Sequence, residues 1–271
     1  MKHYSTLFII LLLVISCSDD NTTPTPTPTL VKEWNIPMSA SFENPAPANR
    51  TETGTAHLQL MSDNSLIYML TVTGLAATDA LTASHLHVGN VITNGGVILD
   101  LNPTFTNGSA TGTITNVRTS LIDSLKSDNN EIYINIHSTQ FGGGLIRGQL
   151  NRNVEFAKDV VLNSANEVPA GTSAATGLAL IRLASDKQLY TMITVTGVEA
   201  TDALTAAHYH KAAAGVNGGI ALDIYSSAAQ FGTVKVSPVD DVFIAALKND
   251  PMYVNAHSTS KPGGLIRGQI R

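Results

Sequence analysis

The chain repeats itself, and that fact limits its fold more than any other feature. Residues 71–87, TVTGLAATDALTASHLH, match residues 194–210, TVTGVEATDALTAAHYH, at 13 of 17 positions. Residues 133–149 match residues 253–269 at 12 of 17. The offset falls from 123 to 120 between the two blocks, so three residues separate the copies in length. Each copy spans about 120 residues, the size of an independent domain rather than one unit of a solenoid. The repeat therefore predicts two tandem domains, 34–152 and 153–271.

Within each copy the apolar period is two. Leu66, Tyr68, Leu70 and Val72 alternate with Ile67, Met69, Thr71 and Thr73, and Leu189, Thr191, Ile193 and Val195 take the same face in the second copy. A period of two is the mark of a strand with one buried face. Ser62–Ser65 and Ser185–Gln188 separate these strands from earlier ones carrying Leu58 and Leu60 or Ile181 and Leu183, which reads as a hairpin. Helical spacing is confined to Leu121–Leu125 and to its equivalent near Val242–Leu247. The expected fold is all-β: two antiparallel Greek-key β-sandwiches with little helix.

The amino terminus reads as an address. Lys2 precedes the apolar run Leu7–Ile15, which is too short to span a bilayer and fits a signal peptide over residues 1–17. Val14-Ile15-Ser16-Cys17 resembles the lipobox of bacterial lipoproteins, which implies lipidation at Cys17. Ser18-Asp19-Asp20-Asn21 resembles the acidic surface-export tag of Bacteroidetes-type lipoproteins. The alternating Pro-Thr segment that follows favours extended polyproline geometry, so residues 18–33 are expected to form a tether. The implied location is the bacterial cell envelope, lipid-anchored at the outer membrane and surface-exposed, with the membrane as a partner through the anchor. Cys17 is the only cysteine, so a mature chain lipidated there has no thiol for catalysis or for a thiolate metal site. Sixteen Lys and Arg against 21 Asp and Glu, with 6% aromatic residues, exclude the basic and stacking surfaces that nucleic-acid binding needs.

Six of the eight histidines fall at repeated positions: His85, His87 and His137, then His208, His210 and His257. Residues i and i+2 of a strand share a face, so His85 with His87, and His208 with His210, can converge on one ion. A third imidazole completes an all-nitrogen set suited to copper or zinc. Asn135 and Asn255 share the face of the third histidine and are placed to hydrogen-bond a ligand ring. Asn94-Gly95-Gly96 and Asn217-Gly218-Gly219 read as tight turns after the His-x-His strands, with Asp100 and Asp223 on the strand beyond. A second reading stays open, in which the histidines pin the structure by bonding to backbone or to one another. Arg147 and Arg267 suit either an anion or a salt bridge to a strand-edge carboxylate.

The blocks His85-Leu-His87-Val-Gly89, Asn94-Gly-Gly, Asn135-Ile-His137 and Gly143-Gly-Leu-Ile-Arg-Gly-Gln149, with their counterparts, resemble the CHRD domain of chordin and of microbial secreted proteins. Asn166-Glu167-Val168-Pro169-Ala170 and the looser Glu43-Asn44-Pro45-Ala46 are similar to that family's opening. The resemblance implies a secreted binding or structural module without a defined reaction. The order of the histidines is also similar to copper/zinc superoxide dismutases, by which His85, His87 and His137 would be copper ligands. No histidine lies between His87 and His137 or between His210 and His257, so the bridging ligand and zinc loop of those enzymes are missing, and Gly144 and Gly264 stand where their guiding arginine would be. Three functions follow as expectations: an extracellular binding module for an unidentified protein or polysaccharide, a copper- or zinc-binding protein, or an architectural spacer. No catalytic residue is assigned, and enzymatic activity is left open.

Overall fold

The computed structural model describes residues 27–271. The expected signal peptide, Cys17 and most of the tether lie outside the described residues. The first half contains β1 (Leu30–Ser39), β2 (Thr53–Met61), β3 (Leu66–Thr73), β4 (Leu81–Val88), β5 (Val97–Asp100), β6 (Ser109–Ile114), α1 (Thr119–Lys126), β7 (Ile132–Ser138) and β8 (Ile146–Gln149). The second repeats it as β9 (Val154–Asn163), β10 (Thr176–Ala184), β11 (Gln188–Thr196), β12 (Leu204–Lys211), β13 (Ile220–Tyr225), β14 (Lys235–Pro238), α2 (Asp241–Asn249), β15 (Met252–Ser258) and β16 (Ile266–Gln269). β1 begins four residues before the expected boundary at 34, because Lys32 already pairs with Leu60 of β2.

Each half is one antiparallel eight-stranded sheet, in the order β5-β4-β7-β8-β1-β2-β3-β6 and its counterpart β13-β12-β15-β16-β9-β10-β11-β14. Consecutive strands β5 and β6 sit at opposite edges, so the sheet curls round its own core, and the jumps β3 to β4 and β6 to β7 are Greek-key crossings. The expected hairpins form: Leu60 pairs with Leu66 and Leu183 with Leu189. The core is built from the inward-facing residues, among them Leu58, Leu60, Leu70, Leu86, Ile134 and Ile146 in the first domain. Each such side chain contributes about 1.5–3 kcal/mol when fully buried. Helix α1 closes this core with Leu121, Ile122 and Leu125.

The second core drifts in sequence while keeping its fill. Tyr209 replaces Leu86 and points inward, its hydroxyl 2.6 Å from Thr191, and Thr191 in turn replaces Tyr68. A large residue has moved from one strand to another, a kind of exchange that cores tolerate when total volume is kept.

The two domains meet. Val91 and Ile92, from the loop after β4, pack with Leu180, Ala184 and Tyr190 on the outer face of β10 and β11. Arg182, fully buried, donates to Asp159 Oδ1 at 2.7 Å and to the carbonyl of Glu43 at 2.6 Å, while Ala46 N–H donates to Asp159 Oδ2 at 2.8 Å.

Candidate metal centre

The outward face of β4 and β7 carries the imidazoles. Leu86 enters the core, so His85 and His87 point the other way, and the antiparallel register sets His85 opposite Asn135 and His87 opposite Tyr133. His137 lies two residues further along β7 on the same face. Loops cover this face, which is why every residue of β7 and of β15 is buried. One nitrogen from each of His85, His87 and His137 lies within 4.8 Å of the others, and His208, His210 and His257 do the same. The six histidines singled out in the sequence thus gather in two clusters of three.

Backbone carbonyls fix which nitrogen of each ring carries the proton. His87 Nδ1 donates to Gly95 O at 3.0 Å and His137 Nδ1 to Gly142 O at 3.0 Å. The second domain repeats both, His210 to Gly218 O at 2.9 Å and His257 to Pro262 O at 3.0 Å. A carbonyl only accepts, so Nε2 of each of these four rings holds a bare lone pair. His137 Nε2 faces His85 Nδ1 at 2.9 Å, and His257 Nε2 faces His208 Nδ1 at 3.0 Å. His87 Nε2 and His210 Nε2 are buried and have no hydrogen-bond partner among the described residues. On the far side of the first ring, Asp100 Oδ1 stands 3.8 Å from His85 Nε2, and Asp223 Oδ1 stands 3.6 Å from His208 Nε2. Burial lowers the pKa of His87, His137, His208 and His257, so these rings stay neutral, as metal ligands must be.

Asn94-Gly95-Gly96 is not a tight turn. It closes a longer loop, residues 89–96, and brings the Gly95 carbonyl to His87. A Cβ on Gly95 would sit 1.7 Å from Val88 O, so only glycine lets the loop pass this close to the end of β4. Gly218 is held the same way against Lys211 O. Among the described residues neither Arg147 nor Arg267 forms an ion pair with a strand-edge carboxylate; both bond instead to the loop after the His-x-His strand. Arg147 is buried, lies 3.4 Å over the Tyr133 ring, and donates to Asn94 Oδ1 and Thr93 O, both at 2.9 Å. Arg267 repeats the stack on Tyr253 at 3.3 Å and donates to Val216 O at 2.9 Å. Tyr133 stacks on His87 in turn, with ring centroids 4.8 Å apart and planes 6° from parallel. The arginines thus hold the loop that orients the second histidine.

Asn135 and Asn255 lie buried beside the rings; Asn255 Oδ1 is 3.1 Å from His257 Nε2, where both atoms are acceptors in the tautomer that the Pro262 carbonyl sets, and Asn135 Oδ1 has no hydrogen-bond partner among the described residues. Behind them the structure adds two residues with no assigned role in the sequence, Glu43 and Glu167. Each is buried with Oε1 unpartnered. A Cβ on Gly144 would meet Glu43 Oε1 at 2.3 Å, and one on Gly264 would meet the Glu167 carboxylate at 2.5 Å, so the glycines make room for the acids. Burial pushes both carboxyls up to about 7, against the opposing pull of Arg147 on Glu43 and of Arg267 on Glu167. The signal available was Glu-x-Pro-Ala, present in both copies ahead of the second strand.

Two curled Greek-key sheets, each with three imidazoles on its outer face, define a class of duplicated extended-β proteins with a repeated nitrogen site. The model of the CHRD domain matches the chain twice, over residues 34–150 and 159–270. The chain belongs to the CHRD family. No curated protein and no solved structure is significantly similar to it.

Proposed function

We propose that this chain is an extracellular binding module whose two domains each hold one transition-metal ion, copper or zinc, on His85, His87 and His137 and on His208, His210 and His257. The buried, partnerless lone pair of His87 Nε2, repeated at His210 Nε2, carries the reading. With Nδ1 committed to a carbonyl, no proton is left on these rings for one another, and the single donor that His85 can supply is spent on His137. An unsatisfied buried acceptor costs about 1–3 kcal/mol, and both domains bear that cost at the same atom. With the His85 proton transferred from Nδ1 to Nε2, the side that Asp100 faces, a cation at the centre accepts all three lone pairs. Trigonal bonds near 2.0 Å put the ligand nitrogens about 3.5 Å apart, a spacing between the 2.9 Å closest contact and the 4.8 Å limit of the cluster. A neutral, all-imidazole donor set suits copper and zinc over magnesium or calcium, which prefer oxygen.

The test is elemental analysis of untagged, chelator-stripped chain after dialysis against copper or zinc. Two ions per chain are expected, one per cluster; His87→Ala and His210→Ala should each remove one, and the double variant both. Absence of bound metal in the folded wild type, with unchanged melting on copper addition, overturns the reading. The same proposal places the chain at the bacterial cell envelope, anchored through a lipid on Cys17. Cys17→Ala should shift the protein from the detergent phase to the aqueous phase on Triton X-114 partitioning.

A further inference from the structure

We infer that the second domain carries a docking cleft for a partner protein whose sheet face presents an arginine beside a carboxylate. The inference is independent of metal binding, and the chain itself supplies the pattern. In the first domain the loops around Glu43 and Val91 are sealed by the outer face of β9, β10 and β11. Three contacts make that seal: the apolar packing of Val91 and Ile92 on Leu180, Ala184 and Tyr190; Arg182 to Glu43 O; and Ala46 N–H to Asp159, with Arg182 and Asp159 held side by side by their own ion pair.

The second domain has the same loops, with no sheet face packed against them among the described residues. Glu167 and Ala170 correspond to Glu43 and Ala46, and Ala214 and Gly215 correspond to Val91 and Ile92. Glu167, Ala214 and Gly215 line an open cleft of about 250 Å³, floored by Arg267 and Gln269. The carbonyl of Glu167 and the N–H of Ala170 make no hydrogen bond among the described residues, whereas their counterparts are the acceptor and the donor used by Arg182 and Asp159. Glu167 itself borders the cleft, while its carboxylate turns inward against Gly264. The loop that borders the cleft and its adjoining recess therefore offers a free carbonyl for a guanidinium and a free N–H for a carboxylate, the same two groups that the intramolecular pair uses in the first domain.

A second copy of this chain does not present that pair. Its own β9–β11 face is occupied, and the corresponding positions of the first domain hold Asn35, His57 and Gln59 in place of Asp159, Leu180 and Arg182. The occupant is thus a different protein, with a charged pair set among aliphatic side chains on neighbouring strands.

Grafting the pair onto the first domain tests this in the chain lacking only residues 1–17. The variant Asn35→Asp, His57→Leu, Gln59→Arg should self-associate head to tail, its weight-average mass in sedimentation equilibrium rising with concentration. Adding Ala214→Lys, an exposed position in the cleft, should return it to monomer. Should the triple variant fail to fold, Asn35→Asp with Gln59→Arg alone gives the same readout more weakly. A folded graft that stays monomeric, or association that survives Ala214→Lys, overturns the proposal. Association of the wild type that Ala214→Lys abolishes also overturns it, since the neutral Asn35 and Gln59 would then suffice and a second copy would be the occupant.

Discussion

Strands β2 and β10 occupy the same place in the two domains and are buried differently. In β2 the residues from Ala56 to Met61 alternate between buried and half-buried, whereas in β10 every residue from Ala179 to Ala184 is buried. The inward sets are alike: Leu58 and Leu60 against Ile181 and Leu183. Only the outward sets part company, with His57 and Gln59 on one and Leu180 and Arg182 on the other. A duplicated fold thus kept its core face and respecified its solvent face where the second copy receives the first. The difference also separates the two glutamates, since Glu43 is shielded by the neighbouring domain and Glu167 is at the rim of an open cleft.

Breaking the contact at its most buried point should have the largest effect. Arg182→Leu leaves Asp159 Oδ1 and the Glu43 carbonyl without their donor, and loss of one partner of a buried pair costs about 3–5 kcal/mol. Chemical denaturation should show that loss. Gln59→Leu at the equivalent exposed face should change stability by less than about 0.5 kcal/mol, and a comparable loss there would erase the distinction between the faces. Ile92→Ala opens a cavity in the apolar seam and should cost about 2–4 kcal/mol, again by denaturation. Ala214→Gly, in the uncovered loop of the second domain at the counterpart of Val91, should lie within about 1 kcal/mol of wild type.

The buried acids predict a pH dependence whose sign is fixed. Their folded pKa values, about 7, stand above the ordinary 4.5, so the folded chain binds more protons than the unfolded one between those values. Metal-free protein should be most stable below about pH 4.5 with respect to these groups and should lose stability as pH rises towards 7, by up to about 3 kcal/mol per site. Glu43→Gln and Glu167→Gln should each flatten that slope in melts taken from pH 5 to 7.5. A slope unchanged in both variants would assign the effect to other groups.

Strand pattern, hairpins, the short helices and the six histidines were all legible, because a period of two dictates which side chains share a face. His85 and His87 had to converge, and β7 had to deliver His137 beside them once β4 and β7 paired. Glu43 was not legible as part of the site: it lies over ninety residues from Asn135, and it arrives through a turn after β1 that no periodicity describes. The tight-turn expectation for Asn94-Gly95-Gly96 failed because dipeptide preference sees local dihedrals and not the long-range demand of His87 for a carbonyl. The domain contact had a readable trace in the unbroken apolar run Leu178–Ile181, which lacks the alternation of His57–Leu60. That trace names a covered face without saying what covers it.

Because the groups that set the imidazole tautomers are main-chain oxygens, no side-chain substitution can delete them. His87 and His210 each reach a carbonyl eight positions ahead, and His137 and His257 each reach one five positions ahead. The vulnerability of the centre is therefore mainly metrical: an inserted or deleted residue between imidazole and oxygen would unset the ring, while the letters of those loops other than Gly95 and Gly218 have room to change, as Thr93 to Val216 and Gly142 to Pro262 already have.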